Sequence, residues 1–334
     1  MRNLIVLILS LIPILTHAQE WEDRQVFEGS ASSVTLRVIS STDTSFFAPI
    51  LQSFITRNPT LSVEYFVTST ADLNRHVRRK PDEFDVVISS AMDLQLKLAN
   101  DGYAREISVS NIPDWAQWRS SLFAFTTEPA AIVINSNAFK DIATPQTRQD
   151  LIRALRDRPE VFHNRVGTYD VRQSGLGYLF ATQDARASET YWRLTEVMGS
   201  LDARLYCCSS AMIDDLISGE IAVAYNVLGS YAEARQKDEG NLTIILPSDF
   251  PTTMMRTALV SAQSKNASAA ENFIKHLLAL QTTGAELPLP RLDVSNDTTG
   301  RSNIALEPAL MTYLDELKRR NFLKEWESAI IQGP

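Results

Sequence analysis

The stretch VTLRVISSTDTSFFAPILQSFI, residues 34–55, decides the fold. Val34 to Ile39 alternates and branches like a buried strand, while Phe46/Phe47, Ile50/Leu51 and Phe54/Ile55 recur every four positions, as the apolar face of a helix does. Between the two lies the hydroxyl run Ser40-Ser41-Thr42-Asp43-Thr44. The same order follows twice more. Leu61 to Val67 reads as a strand, Thr68-Ser69-Thr70 as a junction and Ala71 to Arg79 as a polar helix. Phe84 to Ile88, Ser89-Ser90 and Ala91 to Asn100 form the third unit, which stops at Asp101-Gly102. Strand and helix alternating in this way predict parallel pairing in a three-layer α/β lobe.

The three hydroxyl junctions fall at the carboxyl ends of the strands, where open parallel sheets bind ligands. Each offers free backbone N–H groups, a hydroxyl and a positive helix end. Ser41, Thr42, Ser69, Thr70, Ser89 and Ser90 are therefore candidate ligand residues. Ser and Thr are also the ordinary N-caps of helices, so a purely structural role stands beside the binding one.

Further along, Ala130 to Asn135 reads as a buried strand leading out of this lobe, and the alternation restarts. A helix near Arg148 to Asp157 and a strand at Arg165 to Tyr169 lead to the loop Asp170 to Gly175 and a helix from Leu176. Ile221 to Tyr225 and Met255 to Ser261 are strands, Leu242 to Leu246 is a candidate return segment, and Ala267 to Leu280 and Pro308 to Trp326 are helical. The expected division is a signal segment at 1–18, a first lobe at 19–133, a second at 134–250, and a return to the first at 251–334. At 334 residues and 44% hydrophobic, the chain has the material for two such lobes.

Arg2, the apolar run Leu4 to Leu15 and the small residues Thr16 and Ala18 resemble a secretory signal cleaved near Ala18, which places the mature chain in the periplasm. A net charge of −8 argues against a non-specific nucleic-acid binder, so no nucleic-acid partner is expected. The only cysteines, Cys207 and Cys208, are adjacent: they either close a ring between neighbours or remain thiols.

Several chemistries lack their residues. His76, His163 and His276 are scattered without metal-ligand spacing, and no phosphate-cradling glycine loop is present. Ser174-Gly175-Leu176-Gly177 lacks the glycine two residues before the serine that a hydrolase elbow needs. No catalytic residue, metal or cofactor is assigned, and a secreted hydrolase is left as the second alternative. Asn241, Asn266 and Asn296 begin Asn-x-Ser/Thr triplets, and Asp293 to Ser302 is a polar loop.

With its signal, its hydroxyl-rich strand ends, its departure near Asn135 and its return near Met255, the chain resembles type II periplasmic solute-binding proteins of ABC transporters. It is most similar to the ferric-iron-binding branch, and Phe84 to Asp93 and Ala224 to Tyr231 resemble phosphoglycerate transport regulatory proteins within it. The resemblance implies two α/β lobes joined by hinge strands and a solute held between them. It also implies a membrane partner, either an ABC permease or the periplasmic domain of a sensor kinase, and a monomer. Iron-binding members carry two consecutive tyrosines where this chain reads Leu228-Gly229-Ser230-Tyr231, which makes ferric iron the alternative. Arg172, at the Ser174-Gly175 helix start, and Arg256, on the return strand, are the cations that point to a small organic anion, an organophosphate or carboxylate. Tyr225 and Asn226 end a second-lobe strand at the expected cleft edge.

Overall fold

The computed structural model describes residues 21–332 apart from 32, 111, 237–239, 281–286 and 293–301. The expected signal at 1–18, the Asn296 triplet and residues 293–301 of the polar loop lie outside the described residues. An edge strand, β1 (Asp23–Phe27), precedes the three units, which are β2 (Val34–Ser40), α1 (Thr44–Arg57), β3 (Leu61–Val67), α2 (Thr70–Arg79), β4 (Val86–Ser89) and α3 (Met92–Asn100). β2 pairs in parallel with β3 on one side and β4 on the other. All three hydroxyl junctions therefore lie at one edge of one sheet. Ser69 caps α2 by accepting from the Asp72 N–H, which is why that helix starts where it does.

After β5 (Gln117–Trp118) and β6 (Leu122–Ala124), the chain enters a second sheet with β7 (Glu128–Asn135). There follow α4 (Arg148–Asp157), α5 (Pro159–Phe162), β8 (Val166–Tyr169), α6 (Gly175–Ala187), α7 (Thr190–Ser200), β9 (Arg204–Tyr206), α8 (Ser209–Ser218), β10 (Val223–Leu228), α9 (Gly229–Gln236), β11 (Leu242–Ile245) and β12 (Thr252–Met254). The last described elements are β13 (Thr257–Val260), α10 (Ala267–Leu280), β14 (Ser302–Asn303) and α11 (Glu316–Ile330). The first sheet runs β1-β3-β2-β4-β13-β6-β5 and the second β14-β12-β7-β10-β8-β9, with β11 also on β7. β8 pairs in parallel with β9 and β10, which puts the β8–α6 and β9–α8 junctions at one edge of the second sheet. The mixed α/β class expected from the sequence is present, built on two sheets.

The chain passes between the sheets from Ala124 to Glu128, from Met254 to Thr257, and a third time after α10 and before β14. Leu242 to Leu246 is not a return segment, because β11 pairs antiparallel with β7 inside the second sheet. Residues 251–334 are shared between the two halves. β13 and α10 pack with the first sheet, with Phe273 and Ile274 against Phe54 and Leu51, while α11 brings Phe322, Trp326 and Ile330 into the core behind the second. A third core runs across the seam and joins Met92 and Leu96 to Leu176, Leu179 and Met254. Among the described residues, no helix is long and apolar enough to cross a membrane.

α7 and α11 approach so closely at Gly199 that a Cβ there would collide with the backbone carbonyl oxygens of Ala329 and Ile330. Backbone cannot give way as a side-chain tip can. Gly199→Ala is expected to lower unfolding stability by about 1–3 kcal/mol through overpacking, as read from the denaturant midpoint at unchanged m-value.

Candidate functional site

The first two crossings between the sheets are tied by one fully buried ion pair. Arg256, on the returning segment, donates from Nε to Glu128 Oε1 at 2.7 Å and from a terminal nitrogen to Oε2 at 3.0 Å. Both side chains have 0% exposure. Thr126 and Ser230 donate to the same carboxylate, and the third guanidinium nitrogen donates to Thr42 Oγ1. Burial alone would raise the Glu128 pKa, but Arg256 and these donors outweigh it and hold it below the ordinary value. Arg256, expected as an anion anchor, has its fork on Glu128 and gives its remaining nitrogen to Thr42.

The other hydroxyls divide into two groups. Ser41, Ser89 and Ser90 gather at the β2 and β4 ends, where Ser41 Oγ lies 3.5 Å from Ser89 Oγ and 3.4 Å from Ser90 Oγ and accepts from the Ser90 N–H at 3.1 Å. Thr70 instead spans the seam. Its hydroxyl accepts from the N–H groups of Gly175 at 2.8 Å and Leu176 at 3.2 Å, while Ser174 caps the same helix at Gly177. The α6 N-terminus, expected to hold a ligand, is thus met by a side chain from the other sheet. Nearby, Tyr231 crosses as well: its ring stacks on Phe46 at 4.4 Å, and its hydroxyl accepts from the Asp43 N–H at 3.3 Å.

Tyr225 and Asn226, expected at the cleft edge, are bonded to the interior of the second half. The Tyr225 hydroxyl and the Asn226 amide donate to Asp184 Oδ2 at 2.7 and 2.8 Å, and Tyr225 accepts from Arg148 Nε at 2.7 Å. Arg148 also pairs with Asp184 Oδ1 at 3.2 Å, and both of those side chains have 0% exposure. Asn226 sits at a bulge in β10 with φ +64°, a backbone angle asparagine tolerates better than most residues. These residues serve the interior of the second half.

Two cavities differ in the charge of their linings. A groove of about 380 Å³ beside the start of α1 is lined by Glu22, Asp23 and Asp43. Burial raises Glu22 to about 7, helped by the negative charge of Cys208, Asp43 and Asp72, and burial raises Asp43 as well. On the seam, a cavity of about 330 Å³ is lined by Arg75, Arg78 and Lys97 from the first half and by Arg172, Ser174, Gly175, Tyr178 and Arg319 opposite them. Its acidic lining residue is Asp93, 2% exposed and pushed up to about 7 chiefly by burial. Acids outside the lining hold most of the cations in place: Asp72 binds Arg75, Asp101 binds Arg78 and Lys97, and Asp170 holds Arg172 in a two-pronged grip at 2.8 and 2.7 Å. Arg319 lies 4.3 Å over the Tyr178 ring.

Arg172, Ser174 and Gly175 were legible as candidates from the helix start that follows them. Arg75 and Arg78 carried only the signal of a polar helix face, and Arg319, far away in sequence, carried none. Among the described residues, no three His, Cys, Asp or Glu side chains are grouped to hold a metal ion.

A family profile described as bacterial extracellular solute-binding protein matches residues 56–285. The substrate-binding protein of an ABC transporter from Agrobacterium tumefaciens is similar at 28% identity and TM-score 0.85, over 92% of this chain and 98% of that one. AfuA from Actinobacillus pleuropneumoniae, with exogenous fructose-6-phosphate bound, shares the fold at 13% identity and TM-score 0.71, over 90% of this chain and 100% of that one. Iron-bound HitA from Pseudomonas aeruginosa does so at 14% identity and TM-score 0.66, over 89% and 99%. No curated protein matches the chain significantly.

Two outcomes follow from these networks. Glu128→Gln leaves a buried guanidinium without its counter-charge and is expected to cost about 3–5 kcal/mol in chemical denaturation. Asp93 has a folded-state pKa of about 7 against an ordinary 3.8, so the unfolded chain sheds that proton first. Stability should therefore fall as pH rises from about 4 to about 7. Asp93→Asn should flatten that decline while Glu22 keeps its share, as measured by urea midpoints across the range.

Proposed function

The chain belongs to the bacterial extracellular solute-binding proteins, and from that premise we propose that it captures a small organic anion, a phosphate ester or carboxylate, in the basic seam cavity. The observation that carries this reading is the cavity's lining: five cationic side chains, from both halves of the molecule, face one buried acid. A guanidinium binds a carboxylate or phosphate through two parallel hydrogen bonds, and its attraction strengthens where water is scarce. An anion seated there touches both halves at once. It therefore stabilises the closed arrangement by its differential affinity for it, with residues 125–127 and 255–256 as the hinge.

Proteins of this family carry solute to a membrane partner. For this chain we take that partner to be an ABC permease, which reads the closed form outside the cytoplasmic membrane. AfuA, with its sugar phosphate, supports the reading only as a protein of the same fold with a phosphorylated guest. The missing tyrosine pair weighs against iron: Tyr225 is held by Asp184 and Arg148, whereas Tyr231 faces Asp43 and Phe46 across the seam.

A panel of organophosphates and di- and tricarboxylates, screened by thermal shift and followed by calorimetry, tests the assignment. The best hit should raise the melting temperature and lose affinity as salt rises. Arg319→Ala should weaken it by about 10- to 100-fold, the worth of one charge-assisted hydrogen bond. Equal affinity in Arg319→Ala and Arg78→Ala would remove the cavity from consideration.

A further inference from the structure

Cys207 and Cys208 take no part in the cavity. They sit at the β9–α8 junction, at the ligand-facing edge of the second sheet, with Cys208 as the residue that precedes the first turn of α8. Their sulfurs lie 2.8 Å apart, and a disulfide bond measures about 2.05 Å, so little movement separates contact from a bond. Cys207 is exposed and Cys208 half-buried, so a small disulfide can reach the pair. Ser210 Oγ donates to Cys208 Sγ at 3.6 Å. The Cys207 thiol, followed by the first amides of α8, holds the Cys208 thiol below its ordinary pKa, and Cys207 is raised in turn. This assigns the thiolate, and with it nucleophilic attack, to Cys208.

We propose that Cys207 and Cys208 form a reversible redox site, closing into a disulfide ring at the rim of the seam. The Cys208 thiolate attacks one sulfur of an external disulfide, forming a mixed disulfide and expelling one thiolate. Cys207, giving up its proton, then attacks Cys208 Sγ and expels the second. One S–S bond forms and one is consumed; two electrons pass from the cysteine pair to the external disulfide, which leaves as two thiols. Neighbouring Cα atoms are about 3.8 Å apart, below the roughly 4.4–6.8 Å that bridged cysteines usually span. The ring is therefore strained, easily reduced, and of the labile rather than the structural kind.

Ring closure acts directly on Ser209. That hydroxyl lies 2.6 Å from the Tyr169 hydroxyl and accepts from the Leu228 N–H at 3.2 Å, so it ties β8, β10 and the start of α8 together. Strain at the preceding peptide is transmitted to those bonds.

The test uses the reduced, folded full chain, equilibrated with glutathione disulfide, then alkylated and weighed intact. Wild type should lose both alkylation sites, retain no glutathione, remain monomeric and recover both thiols in dithiothreitol. Cys207→Ser should stop at a single glutathione adduct. The oxidised wild type should also melt at a shifted temperature, with no such shift on treating a Cys207→Ser, Cys208→Ser chain. Thiols that stay free, a lasting glutathione adduct or a cross-linked dimer would each overturn the site, and an unchanged melting temperature would overturn its coupling to Ser209. None of these readouts depends on which solute the cavity takes.

Discussion

A carboxylate and a guanidinium excluded from water must satisfy one another, and the placement of Glu128 and Arg256 carries that requirement to the first two points where the chain passes between its sheets. Thr42 ties the pair to the first junction of the first sheet, Ser230 to α9, and Thr126 to the crossing segment itself. One charge pair therefore specifies where four segments meet. Hydrophobic burial supplies most of the driving force for folding, but apolar contacts tolerate sliding, whereas a forked ion pair with satisfied neighbours tolerates little.

Two cavities of the molecule have opposite electrical character. At the start of α1, three carboxyl groups crowd a groove, and burial keeps two of them above their usual pKa values. In the basic cavity, the acids that balance the cations stand mostly outside the lining, so they hold guanidinium groups in position while leaving positive charge facing inward. Beside this cavity, Thr70 and the Gly175 amide clasp the halves together. The hydroxyl groups that first suggested a ligand site mostly cap helices and bond one another, the ordinary work of serine and threonine at helix starts.

The alternation over residues 34–100, the parallel pairing and the edge at which the junctions gather were all readable in the order of residues, because periodicity and capping are local properties that a few neighbours decide. Arg172 and the Ser174-Gly175 helix start were legible as a candidate because a cation before a capped helix is a short-range pattern. What each charged group would bind was not. Arg256 looked like a free anchor, and its partner lies 128 residues earlier in the chain; Tyr225 and Asn226 looked like cleft residues, and Asp184 draws them inward.

Composition and pattern by themselves determined a two-part α/β chain with hydroxyl-rich strand ends, an adjacent cysteine pair and too few metal-ligand spacings to suggest a centre. Tertiary structure alone decided which arginines are neutralised and which face a cavity, that α11 packs behind the second sheet, and that acids line one cavity and cations another. The reason is that electrostatic energy depends on distance in space and on access to water, and folding sets both by bringing together residues that the order of the chain keeps far apart.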